Sequence, residues 1–185
     1  MTSLRPFRSL VEDCQSVLAD VTGRWRVPAE ALNEAILLQG WSIQHRRLPE
    51  GTFCVCDAWR QTLVVSDPLA DQLDCPGVHR EVLRWMLAAE LGQIRMNSMP
   101  LLEGKYSVAL GHTATEYAMA FLLPPEMLRA HPDVAYLVQS QPERIEGWRR
   151  LCRVAEYFLV PVACVQATLA HYGMLDYSWK NSQVA

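Results

Sequence analysis

VHREVLRWMLAAELGQIRMN, residues 78–97, is the longest helical pattern in the sequence. Its apolar residues form two stripes at helical spacing, one through Leu83, Leu87, Leu91 and Ile94 and the other through Val82, Trp85, Met86 and Ala89. Two such stripes leave little of the helix surface for water. We therefore expect residues 78–97 to form the central, buried helix of the protein.

Two shorter helices and a small sheet are predicted before this helix. Residues 8–22 carry apolar residues at helical spacing, and a second helical run starts at Pro28 and ends at Gly40, a residue that can close a helix in the left-handed conformation. Three short segments rich in β-branched and aromatic residues follow: WSIQHRRL, TFCVCDAW and QTLVVSD. Because turns separate them, they predict a three-stranded antiparallel meander.

Further helices are predicted after the central one. The run TATEYAMAFLLPPEMLRA starts a helix that Pro124 and Pro125 must break or kink. Residues 142–160 and 161–174 are two more helical patterns, which meet at Val160 and Pro161. The whole sequence therefore predicts an α+β protein, in which a small sheet lies among helices.

Composition and charge favour a globular protein and disfavour some partners. The chain has 185 residues, half of them apolar, and a formal net charge of -3. That charge gives no general attraction to phosphate backbones or anionic membranes, so nucleic acid is an unlikely partner. The N-terminus lacks a signal peptide and no stretch approaches the roughly 20 apolar residues of a membrane span, which predicts a cytoplasmic protein without membrane contact.

Six cysteines are scattered along the chain without the dense spacing of a secreted disulfide scaffold, so reduced thiols are expected. Cys54 and Cys56 flank one residue in a predicted strand, and their side chains should therefore point to the same face. Two interpretations are open. The pair is either two small buried apolar residues, which is the commoner case, or a thiolate pair for metal or redox chemistry.

The middle of the central helix carries a motif of its own. Residues 87–93, LAAELGQ, resemble the zincin helix of the ImmA/IrrE-type metallopeptidases, whose pattern is His-Glu-Leu-Gly-His. In that pattern two imidazoles one helical turn apart hold Zn²⁺, and the Glu between them is the general base for the metal-bound water. Here Glu90 matches the general base, whereas Ala89 and Gln93 stand where the imidazoles should be.

The order of elements around this motif is also similar to that family. A helix and three strands precede the motif helix, EYAMAFLLPPEML resembles the helix that supplies a third, acidic ligand, and YFLVPVA with LAHYGM resembles the closing module. The resemblance spans roughly residues 28–175 and leaves two positions open for the third ligand, Glu116 and His112. It implies a zincin-like domain over 1–135 and a C-terminal, helix-turn-helix-like helical module over 136–185 packed on it.

The two substitutions predict that the zinc is lost. Alanine supplies no ligand atom, and a Gln amide oxygen is a poor zinc ligand beside imidazole. The resemblance then implies a pseudo-metallopeptidase without a cofactor, which binds a protein partner such as a helix-turn-helix repressor or an active paralogue in a regulatory or stress-response role. Glu90 becomes a vestigial general base. Since a buried carboxylate is costly when unpaired, it should have a partner or face a solvated cleft.

Two other functions remain open from the sequence. The chain is an active peptidase if Glu90 works with Glu116 or His112 at a rebuilt site, with or without a metal. It is a transcription factor if the C-terminal helices bind DNA, although the net charge disfavours that.

Overall fold

The structure, a computed structural model, describes residues 5–21, 25–49, 51–67, 76–95, 112–140 and 142–175; within these ranges, the side chains of residues 5–9, 76–79, 112 and 113 are not described. The helices among these residues are α1 (Arg5–Val21), α2 (Pro28–Leu38), α3 (Pro76–Arg95), α4 (His112–Leu122), α5 (Pro125–Ala130), α6 (Pro132–Ser140), α7 (Arg144–Phe158) and α8 (Val162–His171). The strands are β1 (Ser42–Arg46), β2 (Cys54–Asp57) and β3 (Thr62–Ser66). The predicted α+β class is confirmed.

The sheet is mixed, so the predicted antiparallel meander is wrong. Its strand order is β1-β3-β2, with β1 parallel to β3 and β2 antiparallel to β3. The strands alternate in direction along the chain as a meander does, but the last strand lies in the middle. Burial explains the order, because Leu63 and Val65 of β3 are fully buried, whereas most of the polar strand β1 is exposed.

A tight turn joins β2 to β3 at the predicted place. The backbone N–H of Arg60 donates to Oδ1 of Asp57 at 3.2 Å, and Gln61 takes a positive φ of 49°. A carboxylate that accepts a backbone N–H two or three residues on is a common way to fix such a turn. The turn therefore holds the β2–β3 hairpin together without a glycine at its tip.

The helix boundaries follow the predicted glycine and proline signals. Gly40 has a φ of +78° just after α2, in the left-handed conformation expected of it. Helix α4 ends at Leu122 and α5 begins at Pro125, just after Pro124, because proline cannot donate a backbone hydrogen bond inside a helix. Helix α6 was not predicted, although Pro132 stands at its first position.

Helix α3 is the central buried helix that its pattern predicts, and it begins two residues earlier, at Pro76. Its buried residues are Leu83, Met86, Leu87, Ala88, Ala89, Glu90, Leu91 and Gly92. The two last residues of the predicted helix, 96 and 97, lie outside the described residues. The hydrophobic core includes side chains from each helix, α1 to α8, and α3 contacts α2, α4 and β2.

The C-terminal helices form a sharply bent pair. Helices α7 and α8 meet at 100° across a break in which Leu159 is left-handed, with a φ of 59°. The predicted boundary between 1–135 and 136–185 falls inside α6, and this division of the chain stays a prediction. Within the described residues no single helix has both the length and the apolar character needed to cross a membrane; α7 and α8 pass that test only as a pair.

Candidate functional site

Glu90 lies in the middle of α3 and is only 3% exposed. Glu90 takes part in a polar or electrostatic interaction with another group. The alternative expectation, a carboxylate facing a solvated cleft, does not fit this degree of burial. Helix α3 thus places a carboxyl group inside the protein.

The two positions that flank Glu90 differ in their surroundings. Ala89 has no exposed surface and belongs to the hydrophobic core, whereas Gln93, one turn further on, is partly exposed. Because they are four positions apart on a helix, the two residues lie on the same side of α3, as the spacing predicts. One contributes a methyl group to the core and the other a carboxamide near the surface.

Strand β2 contacts α3, and Glu90 lies near enough to Cys56 of this strand to affect its thiol. Burial raises the pKa of the Cys56 thiol to about 12, and the negative charges of Glu90 and Asp57 contribute to that shift. Cys54 is fully buried on the same face of the strand. Both side chains are buried, as the first interpretation of the pair, two small buried residues, expects.

The two candidates for the third ligand lie on α4, and the structure describes the side chain of only one of them. Glu116 is partly exposed and has an interaction partner. His112 is the first residue of α4, and its side chain lies outside the described part of the structure. The rebuilt site of Glu90, Glu116 and His112 thus stays a prediction. Among the side chains that are described, no group of three or more His, Cys, Asp or Glu residues could hold a metal ion.

Helices α3 and α4 approach closely at Gly92. A Cβ atom added to Gly92 would lie 2.6 Å from Cβ and 2.7 Å from Cγ of Tyr117, far inside van der Waals contact. Only glycine allows this approach. Gln93 follows Gly92 and Glu116 precedes Tyr117, so the close packing of Gly92 on Tyr117 fixes the two helices at the level of the predicted site.

A polar network that the sequence did not reveal surrounds Tyr117. Asp13 of α1 accepts two hydrogen bonds from the Arg95 guanidinium, one of them from Nε at 3.0 Å, and a third from the Tyr117 hydroxyl at 3.1 Å. Arg95 also donates to Oε1 of Gln39 at 3.1 Å. The network joins α1, the end of α2, α3 and α4 beside Gly92.

The charges of this network are fixed by their partners. The guanidinium of Arg95 holds the pKa of the Asp13 carboxyl below its usual value, against the effect of burial. Burial raises the pKa of the Tyr117 hydroxyl, with the negative charge of Asp13 contributing. At neutral pH the network therefore consists of a carboxylate, a guanidinium and a neutral phenol. Such a set of partners stabilises the packing of α1 on the core and has no free group for acid or base chemistry.

No local pattern pointed to these residues, because Asp13 is separated from Arg95 by 82 positions and from Tyr117 by 104 positions. Neither a protein-family model nor a curated protein matches the sequence.

Proposed function

We propose that this protein is a pseudo-metallopeptidase of the ImmA/IrrE type, which binds a protein partner on a zincin-like scaffold and does not cleave it. The observation that carries the proposal is the pair of residues around Glu90. A zincin helix needs imidazoles one turn apart on the same side, and this helix presents a methyl group and a carboxamide at those positions, at Ala89 and Gln93.

The surroundings of Glu90 support loss of the metal. A catalytic zinc needs three protein ligands and an open position for water. Ala89 is enclosed in the core, and Glu90 itself is 3% exposed. A general base must reach both a metal-bound water and a substrate bond. A carboxylate with so little surface is poorly placed for that role.

The sheet supports a protein partner. Strand β2 is at the end of the strand order β1-β3-β2, it contacts α3, and its Cys56 lies near Glu90. An edge strand can take up an extended peptide as one more strand, through main-chain hydrogen bonds that need no catalytic group. A scaffold that has lost its metal ligands can retain this mode of binding.

The partner class follows from the resemblance alone. ImmA/IrrE-type proteins characteristically act on helix-turn-helix repressors, so a repressor of this kind or an active paralogue is the proposed partner, in a regulatory or stress-response role. The chain is proposed to work in the cytoplasm and without a cofactor. A role as a DNA-binding protein is less well supported, because α8, VACVQATLAH, carries no Lys or Arg that could contact phosphates.

The test combines binding and cleavage in one experiment. Purified helix-turn-helix repressors from the source genome are incubated with the chain and with Zn²⁺, Mn²⁺ or Fe²⁺ in turn. Binding is measured by biolayer interferometry and repressor integrity by intact mass spectrometry. The proposal predicts a repressor that binds and keeps its full mass.

Two results would contradict it. Defined repressor fragments that disappear with Glu90→Gln would show an active peptidase, with Glu90 working at a rebuilt site. If no repressor and no paralogue binds, the proposed class of partner is wrong.

A further inference from the structure

A histidine caps the N-terminus of helix α6. The backbone of His131 is extended, with φ -76° and ψ 126°, and its carbonyl accepts the first hydrogen bond of α6, from the N–H of Ala135 at 3.0 Å. Its ring Nδ1 accepts a second bond, from the backbone N–H of Asp133 at 3.2 Å. An extended residue whose carbonyl belongs to the helix and whose side chain accepts from the second helical residue is an N-cap.

An imidazole differs from the usual N-cap side chains because it gains a proton near neutral pH. Neutral imidazole has one acceptor nitrogen, and since Nδ1 of His131 accepts here, the ring proton is on Nε2. In the imidazolium both nitrogens are donors, so the N–H of Asp133 loses its acceptor. A positive charge at a helix N-terminus also opposes the helix dipole. Protonation therefore turns a stabilising cap into a destabilising one.

The ring of His131 is held in place by aromatic side chains of α7. It lies edge-on to Tyr157, with 4.9 Å between the ring centroids, and 6.0 Å from the ring of Phe158. The guanidinium of Arg26 in turn lies over Tyr157, 4.7 Å from its centroid. Since these contacts half-bury the imidazole, it is not free to turn into water when it gains a proton.

The charged groups around the imidazole come from α5, α6 and α7. Burial lowers the pKa of His131, the carboxylate of Asp133 in α6 raises it, and the guanidinium of Arg153 in α7 lowers it. Glu126 and Arg129 of α5 are exposed. Because the pKa is lowered on balance, the folded protein takes up the proton below about pH 6.5, the ordinary value for histidine.

We propose that His131 is a pH-sensitive cap, whose neutral form closes the first turn of α6 and whose protonated form opens this turn and loosens α6 from α7. Asp133 connects the two effects. Its N–H donates to His131, and its carboxylate accepts from Arg150 at 2.8 Å and from Arg153 at 2.9 Å. An imidazolium that seeks this carboxylate must compete with two guanidinium groups of α7, so the proton cannot be accommodated without a change in these contacts.

Nuclear magnetic resonance of the full chain between pH 7 and pH 5 tests the proposal. The imidazole resonances of His131 and the amide resonance of Asp133 should titrate with one common midpoint below about pH 6.5. Over the same range the protection of the Ala135 amide against hydrogen exchange, corrected for the intrinsic effect of pH, should fall by at least about fivefold. The Val165 amide is the internal control, because it closes the first turn of α8 on the carbonyl of Pro161, which does not titrate.

Two variants separate the switch from a purely structural cap. His131→Asn keeps a capping acceptor that does not titrate, so the protection of Ala135 should be retained at both pH values. His131→Ala has no cap, so the protection should be low at both, and circular dichroism checks that each variant is folded.

Three results would overturn the proposal. The imidazole of His131 could titrate without any shift of the Asp133 amide, or His131→Asn could lose protection at pH 5 as the natural chain does. An equal fall at Val165 would show that the acid weakens the whole fold and not the first turn of α6.

Discussion

Replacing Gly92 by alanine tests the contact on which the packing of α3 against α4 depends. The new methyl group would lie 2.6 Å from Cβ of Tyr117, which is about 0.8 Å short of the 3.4 Å at which ordinary contact begins. The atoms in the way belong to the root of the Tyr117 side chain, so no rotation about its side-chain bonds moves Cβ. Tyr117 is also 1% exposed and donates its hydroxyl proton to Asp13. The helices themselves must therefore move apart.

The size of the effect follows from two opposing contributions. Overfilling a packed core costs about 1–3 kcal/mol, and a site that cannot rearrange belongs in the upper part of that range. Alanine gains about 1 kcal/mol over glycine in a helix interior. We therefore expect Gly92→Ala to lower the free energy of unfolding by about 1–2 kcal/mol, which corresponds to a fall in Tm of about 2–8 °C for a chain of this size.

Urea unfolding followed by circular dichroism measures this change. Ala167→Gly is the matched control, because Ala167 is exposed on α8 and its replacement reports the helix-propensity difference alone. That control should lose about 1 kcal/mol. If Gly92→Ala were as stable as the natural chain or more stable, Gly92 would not lie against Tyr117, and the described packing of α3 on α4 would be refuted.

Three further predictions follow from the charges and thiols. Arg95→Met should lower the free energy of unfolding by about 1–2 kcal/mol at pH 7. Because the pKa of Asp13 is lowered in the folded chain, the loss should begin to fade below about pH 4, where the unfolded chain takes up the proton, and should shrink further as the pH falls through the lowered pKa of Asp13. Urea unfolding of both chains at pH 3 and pH 7 checks this, and a loss independent of pH would contradict it. Burial lowers the pKa of His131, so the unfolded chain takes up a proton at this residue more readily than the folded chain. The free energy of unfolding should therefore fall as the pH drops below about 6.5, and His131→Phe should reduce this pH dependence. An unchanged pH profile in the variant would exclude His131 as the source of the dependence. Cys56, with a thiol pKa of about 12, should resist alkylation by iodoacetamide at pH 7 in the folded chain and react in urea, as peptide mass spectrometry would show; modification of Cys56 without denaturant would be evidence against its burial.

Features with a local cause could be predicted from the sequence. The two apolar stripes of residues 78–97 predict a central helix because helical periodicity alone decides which side chains are buried. Gly40 and Pro124 mark helix ends through their own backbone chemistry, which needs no knowledge of distant residues. The α+β class follows from the same local patterns.

Features that depend on distant residues could not be predicted in this way. The position of β3 between β1 and β2 depends on which strand the helices bury, and a rule that pairs consecutive strands gives another order. The hydrogen bonds of Asp13 to Arg95 and Tyr117 join helices that are far apart in sequence. Neither feature has a short-range signal.

The candidate site was predicted in part. The helical pattern placed Glu90 in a buried helix, and the structure agrees. The pattern also indicated that the carboxylate needs a partner or a solvated cleft, and Glu90 does take part in an interaction, whose atoms stay a prediction. The pattern did not indicate how little of Glu90 is exposed, because that depends on the strands and helices packed around α3. The choice between Glu116 and His112 as the third-ligand position stays open, since it depends on a side chain that the structure does not describe.

The metal content of the purified protein tests the central claim most directly. The natural chain is purified without chelator or affinity metal, and zinc per chain is measured by inductively coupled plasma mass spectrometry. A methyl group at Ala89 and a carboxamide at Gln93 should leave far less than one zinc per chain. One tightly held zinc per chain that Glu90→Gln or Glu116→Gln removes would contradict the account.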